Sequence, residues 1–239
     1  MPLKFRVRLI PLLATIALVV LGVSLAQWQT RRAHQKEQID LQMHERALMA
    51  PLSLGAAPVP AAGIVFRHVR LSGRFAGNWP LYLDNRALHG NAGFYVMMPF
   101  KIEGSDMHVL VARGWQPRNA QDRSKMPPLA TPDGVVQIEG IARDSIDRVM
   151  QLGQATPITP GAIVQNITAA DVARQSHLAM QDIIVEQTSA SPDGLQRDWP
   201  LPSAGADKHR AYAFQWYALS LMAILFFVVT GYRRGKNSQ

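Results

Sequence analysis

Two uncharged apolar runs, one near each end of the chain, limit what it can fold into more than any other feature. Leu9 to Ala26 reads LIPLLATIALVVLGVSLA, 18 residues, and Ala211 to Tyr232 reads AYAFQWYALSLMAILFFVVTGY, 22 residues. As helices rising ~1.5 Å per residue they extend roughly 27 and 33 Å, which matches the ~30 Å hydrocarbon thickness of a bilayer. Both can span. Trp28 closes the first run while Tyr212, Trp216 and Tyr217 open the second, so aromatic rings mark the same water interface for both. A cleaved signal peptide competes for the first run, because Ser24-Leu25-Ala26 resembles a signal-peptidase site. Its apolar stretch exceeds the ~7–15 residues of such a region, which favours a retained anchor.

Charge orients the spans. Of 25 basic and 17 acidic residues, six basic ones (Lys4, Arg6, Arg8, Arg233, Arg234 and Lys236) lie in the two tails with no acid among them. Short basic tails stay in the cytoplasm, which sends the 184 residues from Gln27 to Arg210 to the other side, although Arg31, Arg32, Lys208 and Arg210 pull the opposite way. The rest of the chain carries 19 basic residues against 17 acidic, a balance that gives no support to a nucleic-acid partner. With no cysteine, disulfides, thiolate metal sites and thiol nucleophiles are excluded.

The expected organisation is a cytoplasmic tail (1–8), a first span (9–28), a stalk helix and linker (29–63), a β-rich domain (64–187), a linker (188–210), a second span (211–232) and a cytoplasmic tail (233–239). Residues 31–49 lack Gly and Pro and place Ile39, Met43 and Ala47 at i, i+4 and i+8, so the first helix continues into a polar stalk. Ala50 to Gly63 and Gln187 to Ala206 are rich in Pro and Gly and interrupt regular structure. Between them lie short strand-like runs: VFRHVRLSGRF, LYLDNRA, FYVMMPF, HVLVARGW, VVQIEGIAR and DIIVEQT. Val109 and Val111 alternate with Leu110 and Ala112, all apolar, so that strand is central and buried on both faces. Thr168-Ala-Ala-Asp171 predicts a capped helix over Ala169 to Gln175. The fold class is α+β: two transmembrane helices flanking an antiparallel sandwich or barrel-like extracytoplasmic domain.

Catalytic signatures are absent: no GxSxG elbow, HExxH, Walker loop or GxGxxG occurs, which disfavours an enzyme. The seven histidines are scattered, and of ten methionines only Met97 and Met98 are adjacent, pointing to opposite faces of a strand, so copper binding is disfavoured too. Three clusters stand out within the strands: Leu83-Asp84-Asn85-Arg86, which leads to Gly90 and Gly93-Phe94-Tyr95-Val96, and separately Arg113-Gly114-Trp115. Asp84, Arg86, Arg113 and Trp115 either form a ligand or partner surface or serve structure, with Asp84 pairing an Arg, Gly114 supplying an unusual backbone and Trp115 packing the core. On the second span His209 leads a helical stripe through Tyr212, Ala213, Trp216 and Ser220. Spacing by itself favours a solvated interfacial histidine above an aromatic belt, with an axial haem ligand, a neutral imidazole among rings at the membrane border, as the alternative.

The succession Trp28-Gln29 with Arg32 and Lys36, Gly73-Arg74-Phe75, Leu83 to Arg86, Gly90 to Val96, Pro99, Val109 to Pro117 and Lys208-His209 with Tyr212-Ala213 and Trp216 resembles the Surf1 (Shy1) family of cytochrome oxidase assembly proteins. The resemblance implies a non-catalytic biogenesis factor of the bacterial inner membrane with its domain in the periplasm. It also implies a retained first span, subunit I of a haem-copper oxidase as partner, with haem a synthase as a second, and haem a as the cofactor. His209 is then the candidate iron ligand, Lys208 and Arg210 stand where propionates would be met, and Tyr212 and Trp216 are ring neighbours. The alternative is a haem-independent scaffold acting through Asp84, Arg86, Arg113 and Trp115.

Overall fold

The computed structural model describes residues 7–119, 121–122, 126, 128–151 and 153–236; Lys4 and Arg6 of the first tail and residues 237–239 of the last lie outside the described residues. In chain order the elements are α1 (Leu9–Ala47), β1 (Leu52–Ser53), α2 (Ala61–Ile64), β2 (His68–Phe75), β3 (Leu81–Leu88), β4 (Asn91–Ile102), β5 (His108–Pro117), β6 (Val136–Arg143), β7 (Ile163–Val164), α3 (Ala169–Ser176), β8 (Met180–Gln187) and α4 (Ala206–Lys236). They divide into two units: Met1–Leu41 with Leu201–Gln239, and Gln42–Pro200.

In the second unit the sheet closes on itself. β2 pairs with β6, β6 with β8, β8 with β5, β5 with β4, and β4 returns to β2, a five-stranded ring. Closure depends on the length of β4, whose far end (Phe100 to Ile102) pairs β2 while its near end (Asn91 to Met97) pairs β3. Closing the ring gives each of its five strands a partner on both sides, leaving the short β1 and β7 as the ends of the sheet. Most pairings are antiparallel as the pattern predicts, but β5–β8, β1–β2 and β3–β7 are parallel. For β5–β8 the connection is long enough to carry β6, β7 and α3, which is what a parallel pair requires.

β5 separates two cores. Val109 and Val111 fill the ring with Val69, Leu71, Phe100 and Val185, while Leu110 and Ala112 face an outer cluster with Leu83, Tyr95, Met97, Trp115 and Val172 of α3. Each such fully buried side chain contributes ~1.5–3 kcal/mol of transfer free energy, so a strand apolar on both faces can only be central. Helix α3 is fixed over the outer cluster by a complete capping box: Thr168 Oγ1 accepts from Asp171 N at 3.1 Å, and Asp171 Oδ2 accepts from Thr168 N at 3.1 Å. The β3–β4 hairpin turns on His89 and Gly90, both at positive φ, the backbone of a two-residue type I′ turn.

The Pro-rich segments differ from the linkers expected of them, because both pack on the barrel. Gln181 donates to the Gly55 and Ala57 carbonyls and accepts from Val59 N, pinning the first. The second lays Gln196 against Trp115 as an antiparallel bridge and sets Trp199 edge-to-face against Tyr95, ring centres 5.0 Å apart. Local composition missed this because the bonds come from residues far away in sequence.

In the first unit, α1 and α4 each carry a window long and apolar enough to cross a membrane, and only 11% of each window is buried, which fits a membrane-anchored chain rather than core helices. The polar residues 31–47 continue α1 without a break. Hydroxyls of Thr15, Thr30, Ser220 and Thr230 bond the carbonyl four residues back, which satisfies these four polar groups within their own helices.

Candidate functional site

The polar clusters noted within the strands prove to be two β-bulges flanking β4. On β3, Leu83 pairs Tyr95 and Arg86 pairs Gly93, so Asp84 and Asn85 together oppose a single residue, and Asn85 takes φ +60 to allow it. On β5, Ala112 pairs Met97 and Gly114 pairs Val96, leaving Arg113 as the extra residue. That insertion shifts the alternation by one. Arg113 stays on the face of Val109 and Val111, while Trp115 turns to the face of Leu110 and Ala112. The Trp115 ring lies over Gly93, where any Cβ would collide with it, and its Nε1–H donates to Arg86 O at 2.7 Å, joining the two bulges across β4.

Each bulge aims a buried cation. Arg86, only 6% exposed, donates to the carbonyls of Asp147 and of Gln165 (3.0 Å) and lies 5.6 Å from the Tyr95 ring centre. Arg113, with no exposed surface, donates to Thr131 Oγ1 (2.9 Å), Ala130 O (2.8 Å) and Asp193 Oδ2 (3.0 Å), over the Phe75 ring at 4.6 Å. Burial pushes the Asp193 carboxyl up. Hydrogen bonds from Arg197 and Leu195 N, with the charges of Arg197 and Arg113, outweigh it and hold the carboxyl below its ordinary value. Asp84 is ion-paired with Arg118, whose guanidinium lies 5.5 Å from the Phe94 ring.

Asp84, Arg86 and Trp115 are therefore brought together around β4, whereas Arg113 belongs to a separate cluster with Asp193 and Arg197. Arg113, Trp115 and Arg86 are largely buried and Asp84 is engaged by Arg118, so these side chains hold the frame around the two bulges. Sequence reading missed Asp193 and also a buried pair at the end of β6 and β8, where Arg143 Nη1 contacts both carboxylate oxygens of Glu186 at 3.1 and 3.0 Å. Burial outweighs Arg143 here and pushes the Glu186 carboxyl up to about 7. The available signal was the acid Glu186 directly after the apolar run Ile183–Val185. Arg86, Tyr95, Arg143, Asp147 and Glu186 line a cavity of about 170 Å³.

The helical unit holds the other predicted site. Lys36 Nζ donates to Pro202 O at 2.6 Å, Gln29 meets His209, and Gly22 approaches Ser220 so closely that a Cβ would collide with its Oγ. Rising positions on α1 meet falling positions on α4, so the helices run antiparallel along a seam of small buried residues: Gly22, Ala26, Ala33, Ala213 and Ser220. The stripe from His209 is thus divided. His209, Ala213, Trp216 and Ser220 turn toward α1, while Tyr212 is 53% exposed and off the seam. Arg210 is ion-paired with Glu37 at 2.6 Å and with Asp207 at 3.5 Å, and Lys208 is exposed. His209 Nδ1 lies 2.7 Å from Gln29 Oε1, and among the described residues no hydrogen bond reaches its Nε2. An imidazole held by one nitrogen with the other unoccupied is a donor set that suits haem iron. No group of three or more His, Asp or Glu side chains among the described residues is placed to hold a metal ion by protein ligands alone.

The model of the SURF1 family matches residues 16–221, which takes in both bulges, the seam and His209. The chain belongs to the SURF1 family. It is similar to a SURF1-like protein of Monosiga brevicollis, 21% identical over 94% of this chain and 89% of that protein. It is also similar to a SURF1-like protein of Drosophila melanogaster, 26% identical over 81% of this chain and 68% of that one. A further family relative, the cytochrome oxidase assembly protein SHY1 of Saccharomyces cerevisiae, is 26% identical over 41% of this chain and 26% of its own length.

Proposed function

We infer that this chain is a non-catalytic, membrane-anchored assembly factor for a haem-copper terminal oxidase, placed in a bacterial inner membrane with both termini in the cytoplasm and the barrel in the periplasm. Family membership and the role for which the yeast relative is named support the oxidase as its object. The finer reading is that it holds haem a on the way to subunit I, receiving it from haem a synthase. The observation carrying that reading is His209 on the α1–α4 seam, with Nδ1 occupied by Gln29 and Nε2 open.

Bound haem would supply an iron centre for which His209 Nε2 is the protein ligand. Trp216, half-buried on the same seam, offers an apolar flank, and Lys208, exposed, is a candidate cation for a propionate. Arg210 would have to leave Glu37 to join it. The barrel serves to present a shaped surface to the oxidase.

The test is the reduced-minus-oxidised spectrum, with haem extraction, of the intact protein purified in mild detergent from cells that make haem a, beside His209→Ala. Near-stoichiometric haem a that disappears in the variant is the expected result. Folded wild-type protein without haem, which also fails to take up added haem, would leave a haem-independent scaffold, to be pursued by co-purification of subunit I.

A further inference from the structure

We propose that Gln29 is a positioning residue for His209, holding its imidazole as the Nδ1–H tautomer with the Nε2 lone pair presented; this rests on the reading of His209 as a haem ligand. A neutral imidazole has one donor nitrogen and one acceptor nitrogen, and its partner decides which is which. Gln29 Oε1 can only accept, so at 2.7 Å from Nδ1 it selects the tautomer in which Nδ1 carries the proton. Nε2 is then a lone-pair donor, the form a metal requires.

The contact is built by the seam rather than left to two mobile surface side chains. Gln29 falls on the α1 face of Gly22, Ala26 and Ala33, and His209 on the α4 face of Ala213, Trp216 and Ser220. Gly22 against Ser220 fixes helix separation roughly 10 Å to one side, seven residues at ~1.5 Å. Lys36 on Pro202 O, with the Glu37–Arg210 ion pair, fixes it at a similar distance on the other. Between these anchors both residues are partly buried, so the ring cannot swing to solvent without losing its partner.

The experiment uses full-length protein in detergent with ¹⁵N-labelled histidine, comparing wild type, Gln29→Leu and Gln29→Glu. Ring ¹⁵N shifts of His209, assigned by their loss in His209→Ala, report the tautomer without haem. Titration with ferric haem b reports affinity. Wild type should show Nδ1–H, Gln29→Leu a mixture or the Nε2–H form with ~10–100-fold weaker haem binding, and Gln29→Glu, which still accepts from Nδ1–H, should restore both. A wild-type Nε2–H tautomer, or a Gln29→Leu protein with unchanged tautomer or unchanged affinity, overturns the proposal. A Gln29-dependent Nδ1–H tautomer in protein that binds no haem would uphold the positioning while rejecting the haem reading.

Discussion

Replacing Glu186 with Gln should flatten the pH dependence of the barrel's stability between pH 5 and 8. The side chain is 92% buried against Arg143, and burial raises its carboxyl from 4.5 to about 7. The folded state therefore keeps a proton that the unfolded chain has already released in that window. This contribution is complete below pH 4.5 and is lost as pH rises through 7, so stability falls with pH and levels off above it. At 1.36 kcal/mol per unit, the difference between 4.5 and about 7 amounts to about 3 kcal/mol. For a unit of this size that corresponds to a Tm lowered by roughly 6–12 °C, most of it between pH 5 and 8. Asp193 acts in the opposite sense, contributing stability that is lost as pH falls through its depressed value, but its window lies below its ordinary 3.8 and outside the scan. Gln retains an oxygen for Arg143 and cannot ionise. The assay is tryptophan-fluorescence melting of the full-length protein in mild detergent across the pH series. A wild-type Tm that stays level or rises from pH 5 to 8, or a Glu186→Gln slope equal to the wild type's, would refute the reasoning.

Two further outcomes follow from the bulges. Arg113→Met should cost about 3 kcal/mol, the low end for breaking a buried ion pair because Arg197 stays on Asp193 at 2.6 Å, and Arg197→Met should cost less; paired melting curves at pH 7 check the order. Gly114→Ala places a Cβ 2.7 Å from Leu195 Cβ and 2.8 Å from Gln196 O, so the Trp115–Gln196 bridge must open at a cost of about 1–3 kcal/mol. Limited proteolysis should then cut near residues 193–197 with the circular dichroism of the barrel unchanged; resistance equal to wild type would show that the segment tolerates the methyl group.

What the residues disclosed by themselves were features read over short distances. The two spans are uninterrupted apolar runs, the central strand is an apolar stretch on both faces, and the cap of α3 is a four-residue pattern; each depends only on neighbours along the chain. The motifs Asp84–Arg86 and Arg113–Trp115 were visible as irregular polar insertions, yet their role was not, because a bulge is defined by the register of the strand opposite. The same limit hid Glu186, Asp193 and Gln29, whose partners stand 43, 80 and 180 residues away.

The sequence alone thus determined the two apolar runs long enough to cross a membrane, the β-rich character of the domain and the set of side chains available for chemistry, since hydrophobic periodicity and turn chemistry act locally. Only the tertiary structure decided that the strands close into a ring, that the conspicuous Arg113 and Trp115 point inward, and that His209 faces α1 with one nitrogen occupied. The reason is physical: burial and hydrogen-bond pairing belong to surfaces brought together by folding, and a lone residue's type does not say which surface it will meet.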